Sequence, residues 1–159
     1  MNPALRFVAG SCIAVGLLSV ANAAQPSVPV QQDAARRAPA AQLVDPNSVG
    51  KWALQALALV DRGQLAQLWD GASPTMKQRV KREDFVAGVQ ASRHGLAAIE
   101  GREWLVISRQ LGDGQSIPGG EYVTAEFLLR LRQGPPRTEL VTFHRDEDRT
   151  WRFMGYSVR

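Results

Sequence analysis

Cysteine is nearly missing from this chain. Cys12 is the one example, and it lies inside an N-terminal apolar run from Phe7 to Val20. A chain cut after that run has no thiol, which excludes a disulfide, a thiolate metal site and a cysteine nucleophile. Histidine is almost as scarce. His94 and His144 stand far apart with no shared motif, so a zinc-ligand pattern is absent. No G-x-S-x-G, H-E-x-x-H or phosphate-loop motif occurs. No apolar run reaches the roughly 20 residues of a membrane-spanning helix. Charge of one sign is also lacking: 19 Lys+Arg face 15 Asp+Glu, a formal +4. That mild excess suits an acidic partner or anionic lipid and is no nucleic-acid footprint.

What is present starts with an address. Arg6 precedes the short apolar run, and the small residues Ala21-Asn22-Ala23-Ala24 follow it. A basic start, an apolar core and an A-x-A site are the three parts of a secretory signal peptide, with cleavage expected after Ala23. Cys12 does not make it a lipoprotein signal, because Ala9-Gly10-Ser11 precedes it and most of the apolar run comes after. The expectation is a periplasmic or secreted protein that meets the membrane only in transit. Residues 24–44 have no period and carry Pro26, Pro29 and Pro39, which reads as a flexible linker. Residues 45–159 suit one small domain with a single core.

Within that domain Asp45-Pro46 opens a helix, the aspartate capping free amides and the proline sitting where no N–H is needed. Val49, Trp52, Ala53, Ala56 and Val60 recur on one face, and Gly63 ends the helix. A short helix over Gln64 to Asp70 follows. Ser73-Pro74 repeats the start signal for a segment running to Arg82. Glu83-Asp84 opens another helix, with Phe85, Val86 and Val89 inward and Gly95 past its end.

The pattern then turns to strand. Trp104-Leu105-Val106-Ile107 lies within an apolar stretch from Arg102 to Leu111 that reads as a strand covered on both faces or partly so. From Glu121 to Arg132 the parity is clear. Val123, Ala125, Phe127, Leu129 and Leu131 share one face, while Tyr122, Thr124, Glu126, Arg130 and Arg132 share the other. Strands over Arg137 to His144 and Trp151 to Val158 follow, after turns at Gln133-Gly134-Pro135-Pro136 and Asp146-Glu147-Asp148. The predicted fold class is α+β: N-terminal helices packed on one face of a curved four-stranded antiparallel sheet.

Several of these segments resemble a bacterial exported family, a domain of unknown function numbered four thousand and nineteen. The likeness rests on Trp52, Leu59-Val60-Asp61-Arg62-Gly63, Leu68-Trp69-Asp70, Arg109-Gln110-Leu111, Gly120-Glu121-Tyr122-Val123, Glu139-Leu140-Val141-Thr142 and the closing Trp151-Arg152-Phe153-Met154-Gly155-Tyr156. It covers about Val49 to Arg159 and implies no activity. The element order is also similar to the cystatin-like or nuclear-transport-factor-two-like roll. That likeness implies a curved sheet around a long helix with a cone-shaped cavity, a frame shared by isomerases, dehydratases, binding modules and assembly domains.

For chemistry the sequence offers little. The apolar face of the Glu121–Arg132 strand carries no acid, base or nucleophile. His94 reads as a helix-end cap, and His144 as an exposed turn residue beside Asp146, Glu147 and Asp148. That acidic run lacks the glycine and terminal glutamate of a calcium loop. An Arg152–Asp70 pair across helix and sheet is a structural expectation. The leading functional reading is a small exported, non-catalytic binding or interaction module without a cofactor. Its partner would be an envelope protein or a small ligand, and nucleic acid is not expected. Its interaction surface is expected on the outer sheet face at Thr124, Glu126 and Arg130, or on the basic cluster of Lys77, Arg79 and Arg82. The alternatives are an isomerase or hydrolase using His94, His144 or Asp70 as acid or base, or an inhibitor or immunity-type protein. A cavity of roughly 300 Å³ or more with converging ionisable groups is the mark of the enzyme.

Overall fold

The structure, a computed structural model, describes residues 44–159. The expected signal segment (1–23), and the expected linker (24–44) apart from Val44, lie outside the described residues. Four helices come first: α1 (Pro46–Asp61), α2 (Leu65–Asp70), α3 (Pro74–Lys77) and α4 (Arg82–Arg93). Four strands follow: β1 (Ile99–Gly112), β2 (Gly120–Leu131), β3 (Arg137–Arg145) and β4 (Trp151–Val158). The strands form one antiparallel meander in the order β1-β2-β3-β4, and the helices cover one face of it. The chain is therefore an α+β layer, as its patterning predicts. Among the described residues no helix is long and apolar enough to cross a membrane.

Local signals explain where the helices start and stop. The Asp45 carboxylate accepts the N–H groups of Asn47 and Ser48 at 3.2 and 3.0 Å, and Pro46 takes the first helical position. At the other end Gly63 adopts a left-handed φ of 69°. Gln64 N–H then bonds Leu59 O and Gly63 N–H bonds Val60 O, the paired bonds of a Schellman closure. Ser73 caps α3 through Thr75 N–H. That helix is one turn long, shorter than the expected run to Arg82, which itself opens α4.

The inner face of β2 is the centre of the core. Val123, Ala125, Phe127 and Leu129 are all 1% exposed or less. Val49, Ala53 and Leu57 of α1 close over them, and Phe85 and Val89 of α4 pack into the same cluster. Phe85 meets Phe153 edge-on at 5.7 Å, Phe143 meets Phe153 at 6.5 Å, and Trp52 meets Phe143 at 5.9 Å. Burying one such ring contributes about 1.5–3 kcal/mol. These side chains fill the space between α1 and the sheet. Trp151 stacks against Trp52 at 6.5 Å and is half-buried.

One expectation holds only in part and another fails. β1 is partly covered, with Ile107 against the core, but it forms the sheet edge and leaves Trp104, Leu105, Val106 and Leu111 at 46–75% exposure. An apolar run signals burial by composition alone. The helices pack mainly over β2, β3 and β4 and meet β1 at Trp104, Arg102 and Ile107. The Arg152–Asp70 pair is also absent: Asp70 bonds Arg82 at 3.0 Å, and Arg152 turns to Asp146 and Asp148. Arg152 lies four residues from Asp148 and six from Asp146 across a tight turn, so these acids meet it first.

Candidate functional site

Two polar clusters lie at opposite ends of the sheet. The first gathers on the helix-covered face around Glu139, whose side chain is wholly buried. Parity puts it there: Glu139 pairs with Phe127, and residues 139, 141 and 143 of β3 follow the inward face of β2. Its carboxylate accepts from Arg102 Nε, from Arg93 at 3.1 Å and from the Tyr156 hydroxyl at 2.7 Å. Asp61, at the end of α1, accepts from Arg102 at 2.7 and 2.8 Å and from Arg93 at 2.8 Å. One α1 acid, one α4 base and side chains of β1, β3 and β4 thus form a single network, with a shallow hollow of about 360 Å³ beside it. Burial and the Glu139 carboxylate push the Tyr156 phenol far above its ordinary pKa. Every group in the network has partners, so it clamps helices to sheet and leaves none free to act on a substrate.

Its acid sensitivity follows. Burial works against the Asp61 charge, but the hydrogen bonds and charges of Arg102 and Arg93 outweigh it and hold its pKa below the ordinary value. Burial likewise opposes the Asp146 charge, and Ser73, Arg152 and His144 outweigh it. A carboxylate with a depressed folded-state pKa stabilises the fold above its unfolded pKa, near about 4. That contribution is lost as pH falls through the folded value. The melting temperature is expected to hold from neutral pH down to about 4 and then fall steeply. Asp61→Asn is expected to lower the neutral plateau and flatten the acid limb, which melts taken across the acid range will check.

The second cluster sits where the β3–β4 turn meets α3. His144 is buried, contrary to the exposed turn residue expected, because Ser73, Tyr122 and the Gly119–Gly120 backbone enclose it. Its Nδ1–H donates to Asp146 Oδ1 at 2.8 Å. Ser73 Oγ donates to the same oxygen, and Arg152 holds the other at 2.8 Å. Serine, histidine and aspartate meeting in one place invite comparison with a nucleophilic triad. A triad sets serine and aspartate on opposite ring nitrogens. Here both lie on the Nδ1 side, Ser73 is wholly buried, and His144 Nε2 faces the Gly119 carbonyl at 3.4 Å. The arrangement ties α3 to the turn.

A cleft of about 710 Å³ opens beside this cluster, between Asp70–Gln78 and the 144–152 hairpin. In volume and in ionisable lining it meets the mark set for the enzyme. Three of the four lining acids are engaged, Asp70 by Arg82 and Asp146 and Asp148 by Arg152, while Glu147 is exposed. His94 is elsewhere, exposed at the end of α4.

The expected interaction residues fall in two places. Thr124, Glu126 and Arg130 share the outer sheet face. Thr124 bonds Thr142 at 3.0 Å, Glu126 accepts from Arg159 at 3.5 Å, and Arg130 pairs with Glu103 of β1 at 2.9 Å. Lys77 and Arg82 both turn to Asp70, the first to its carbonyl at 2.6 Å and the second to its carboxylate, while Arg79 is exposed.

What the sequence did not flag is the β1 edge. Trp104 packs one face on Phe127 at 4.3 Å and rests over Gly50 of α1, where a Cβ would come within 3.1 Å of the indole. The rest of the ring is open to solvent. Leu105 is an extra residue in the β1–β2 ladder, since Trp104 pairs with Phe127 and Val106 with Glu126. The outer backbone edge of β1 bonds no other strand among the described residues. The edge of β4 differs: Ser73 N–H bonds Phe153 O at 2.8 Å, so the segment entering α3 crosses it.

Compared with known proteins, residues 52–156 match a family model described as "Protein of unknown function (DUF4019)". No curated protein and no solved structure matches the chain.

Proposed function

Because this chain belongs to the DUF4019 family, whose description assigns no activity, we propose its role from its own surface: a small exported, non-catalytic module that binds a polypeptide partner in the bacterial envelope. The observation that carries the reading is the β1 edge, where Trp104, Leu105, Val106 and Leu111 stand 46–75% exposed along a strand whose outer edge bonds no other strand among the described residues. Native proteins blunt or cover a long apolar edge, and one left open is a binding surface. The interface extends from β1 onto the outer sheet face through the Glu103–Arg130 pair, taking in Thr124 and Glu126. Export rests on the N-terminal signal pattern. A nuclear-transport-factor-two-like roll, with its cone filled by Phe127, Phe143 and Phe153, is the finer fold reading in keeping with helices followed by a meander.

Site-specific photo-crosslinking in intact cells tests this. A crosslinker at Leu105 is expected to give discrete protein adducts, and one at Gln90, exposed on α4, is expected to give none. Equal labelling at both positions, or none at either, sinks the reading.

The second reading, an enzyme working in the 710 Å³ cleft with His144 as its base, draws on that cleft's ionisable lining. It requires Gly119 and Gly120 to withdraw and free Nε2.

A further inference from the structure

Resting on the interaction-module reading, we infer that β1 takes its partner by strand addition: an extended, uncharged segment of another polypeptide lies along the free edge and becomes a fifth strand. The chemistry of the edge selects this occupant. A strand edge presents alternating N–H donors and C=O acceptors, and an extended peptide backbone is the ligand that answers such a row along its length. Exposed apolar side chains gather around the bulge, with Trp104 on the helix side, Val106 on the outer side and Leu105 between them, and the exposed Ser108, Arg109 and Gln110 follow before Leu111. The apolar ones call for apolar neighbours on both faces of the incoming strand.

The charges on β1 are already answered within the chain. Glu100 faces Arg132 at 3.6 Å, Arg102 is held by Asp61 and Glu139, Glu103 pairs with Arg130, and Arg109 pairs with Glu121 at 3.0 Å. A charged partner segment would find no counter-ion free, so an uncharged one fits best. A second copy of β1 fits poorly. Antiparallel self-pairing about Leu105 sets bulge against bulge, and self-pairing about Arg109 sets like charges side by side. The bulge leaves Val106 to Gly112 as the longest regular stretch, and the added strand seats there, reaching Trp104 at its end.

The probe is an acetylated, amidated peptide of alternating valine and threonine, ten residues long, added to the isotope-labelled chain without its signal segment. Amide resonances of β1 are expected to shift, and alternate β1 amides to gain exchange protection, at about 1 mM peptide or below. N-methylation of one alternate set of peptide residues should abolish the shifts, and N-methylation of the other set should leave them. Leu105→Lys with Val106→Lys should weaken binding at least about tenfold while the melt stays unchanged. Shifts centred on the cleft instead of β1, or equal tolerance of both N-methylated peptides, overturn strand addition. A peptide-free dimer that dissociates on Val106→Lys overturns it in favour of a second copy. If no peptide shift occurs while Leu105 still crosslinks in cells, the inference fails and the interaction reading stands. If both are silent, both fall.

Discussion

Glu139→Ala is expected to remove about 3–5 kcal/mol of folding free energy, the cost of breaking a buried ion pair by taking one partner away. The substitution leaves the Tyr156 hydroxyl proton and Arg102 Nε without an acceptor in a region with little water, while Arg93 keeps only its bond to the Tyr156 oxygen at 2.8 Å there. Asp61 still holds both arginines, but from the solvent side, where its side chain is about a third exposed. A domain of this size has about 5–15 kcal/mol in total, so the variant should melt 10 °C or more lower, by rough scaling. Glu139→Gln keeps an acceptor for Tyr156 and should lose less. Urea unfolding of the two variants checks the order. A loss below about 1 kcal/mol for the alanine variant would mean that Asp61 carries the clamp alone.

Gly120→Ala should be nearly as damaging, for a different reason. Gly120 begins β2 with φ at 129°, a region that residues with a Cβ enter at a cost of about 1–3 kcal/mol. The added methyl would also press directly on His144 Nε2. His144 cannot step aside without losing Asp146, and Asp146 anchors Ser73 and Arg152 as well. Strain at one glycine thus passes to α3 and the β3–β4 turn. A double-mutant cycle separates the two contributions: in a His144→Ala background the glycine substitution should cost only its backbone part. Equal costs in both backgrounds would show that the ring gives way freely.

The layers of this fold were legible because they rest on local rules. Asp45-Pro46 and Ser73-Pro74 mark helix starts that depend on the next three residues alone, and the two-residue period of Val123 to Leu129 needs no partner to be read. Glu139 and His144 were not legible as network centres. Their partners lie up to 46 and 71 residues away, and their burial depends on which strand lies beside which. Glu139 does share the inward parity of Val141 and Phe143, so an acid at a core position of β3 was the available signal. β1 misled for the opposite reason. Trp104-Leu105-Val106-Ile107 is as apolar as a central strand, and composition does not say whether a neighbour exists to cover it.

The two margins of the sheet are unequal among the described residues: β4 is crossed by the chain at Ser73, and β1 is not. Fibrous growth by edge-to-edge stacking needs a molecule that can be joined on either flank. If strand addition takes place at β1 and the Ser73 crossing blocks β4, each molecule would be capped once, giving a closed pair of fixed stoichiometry instead of a filament.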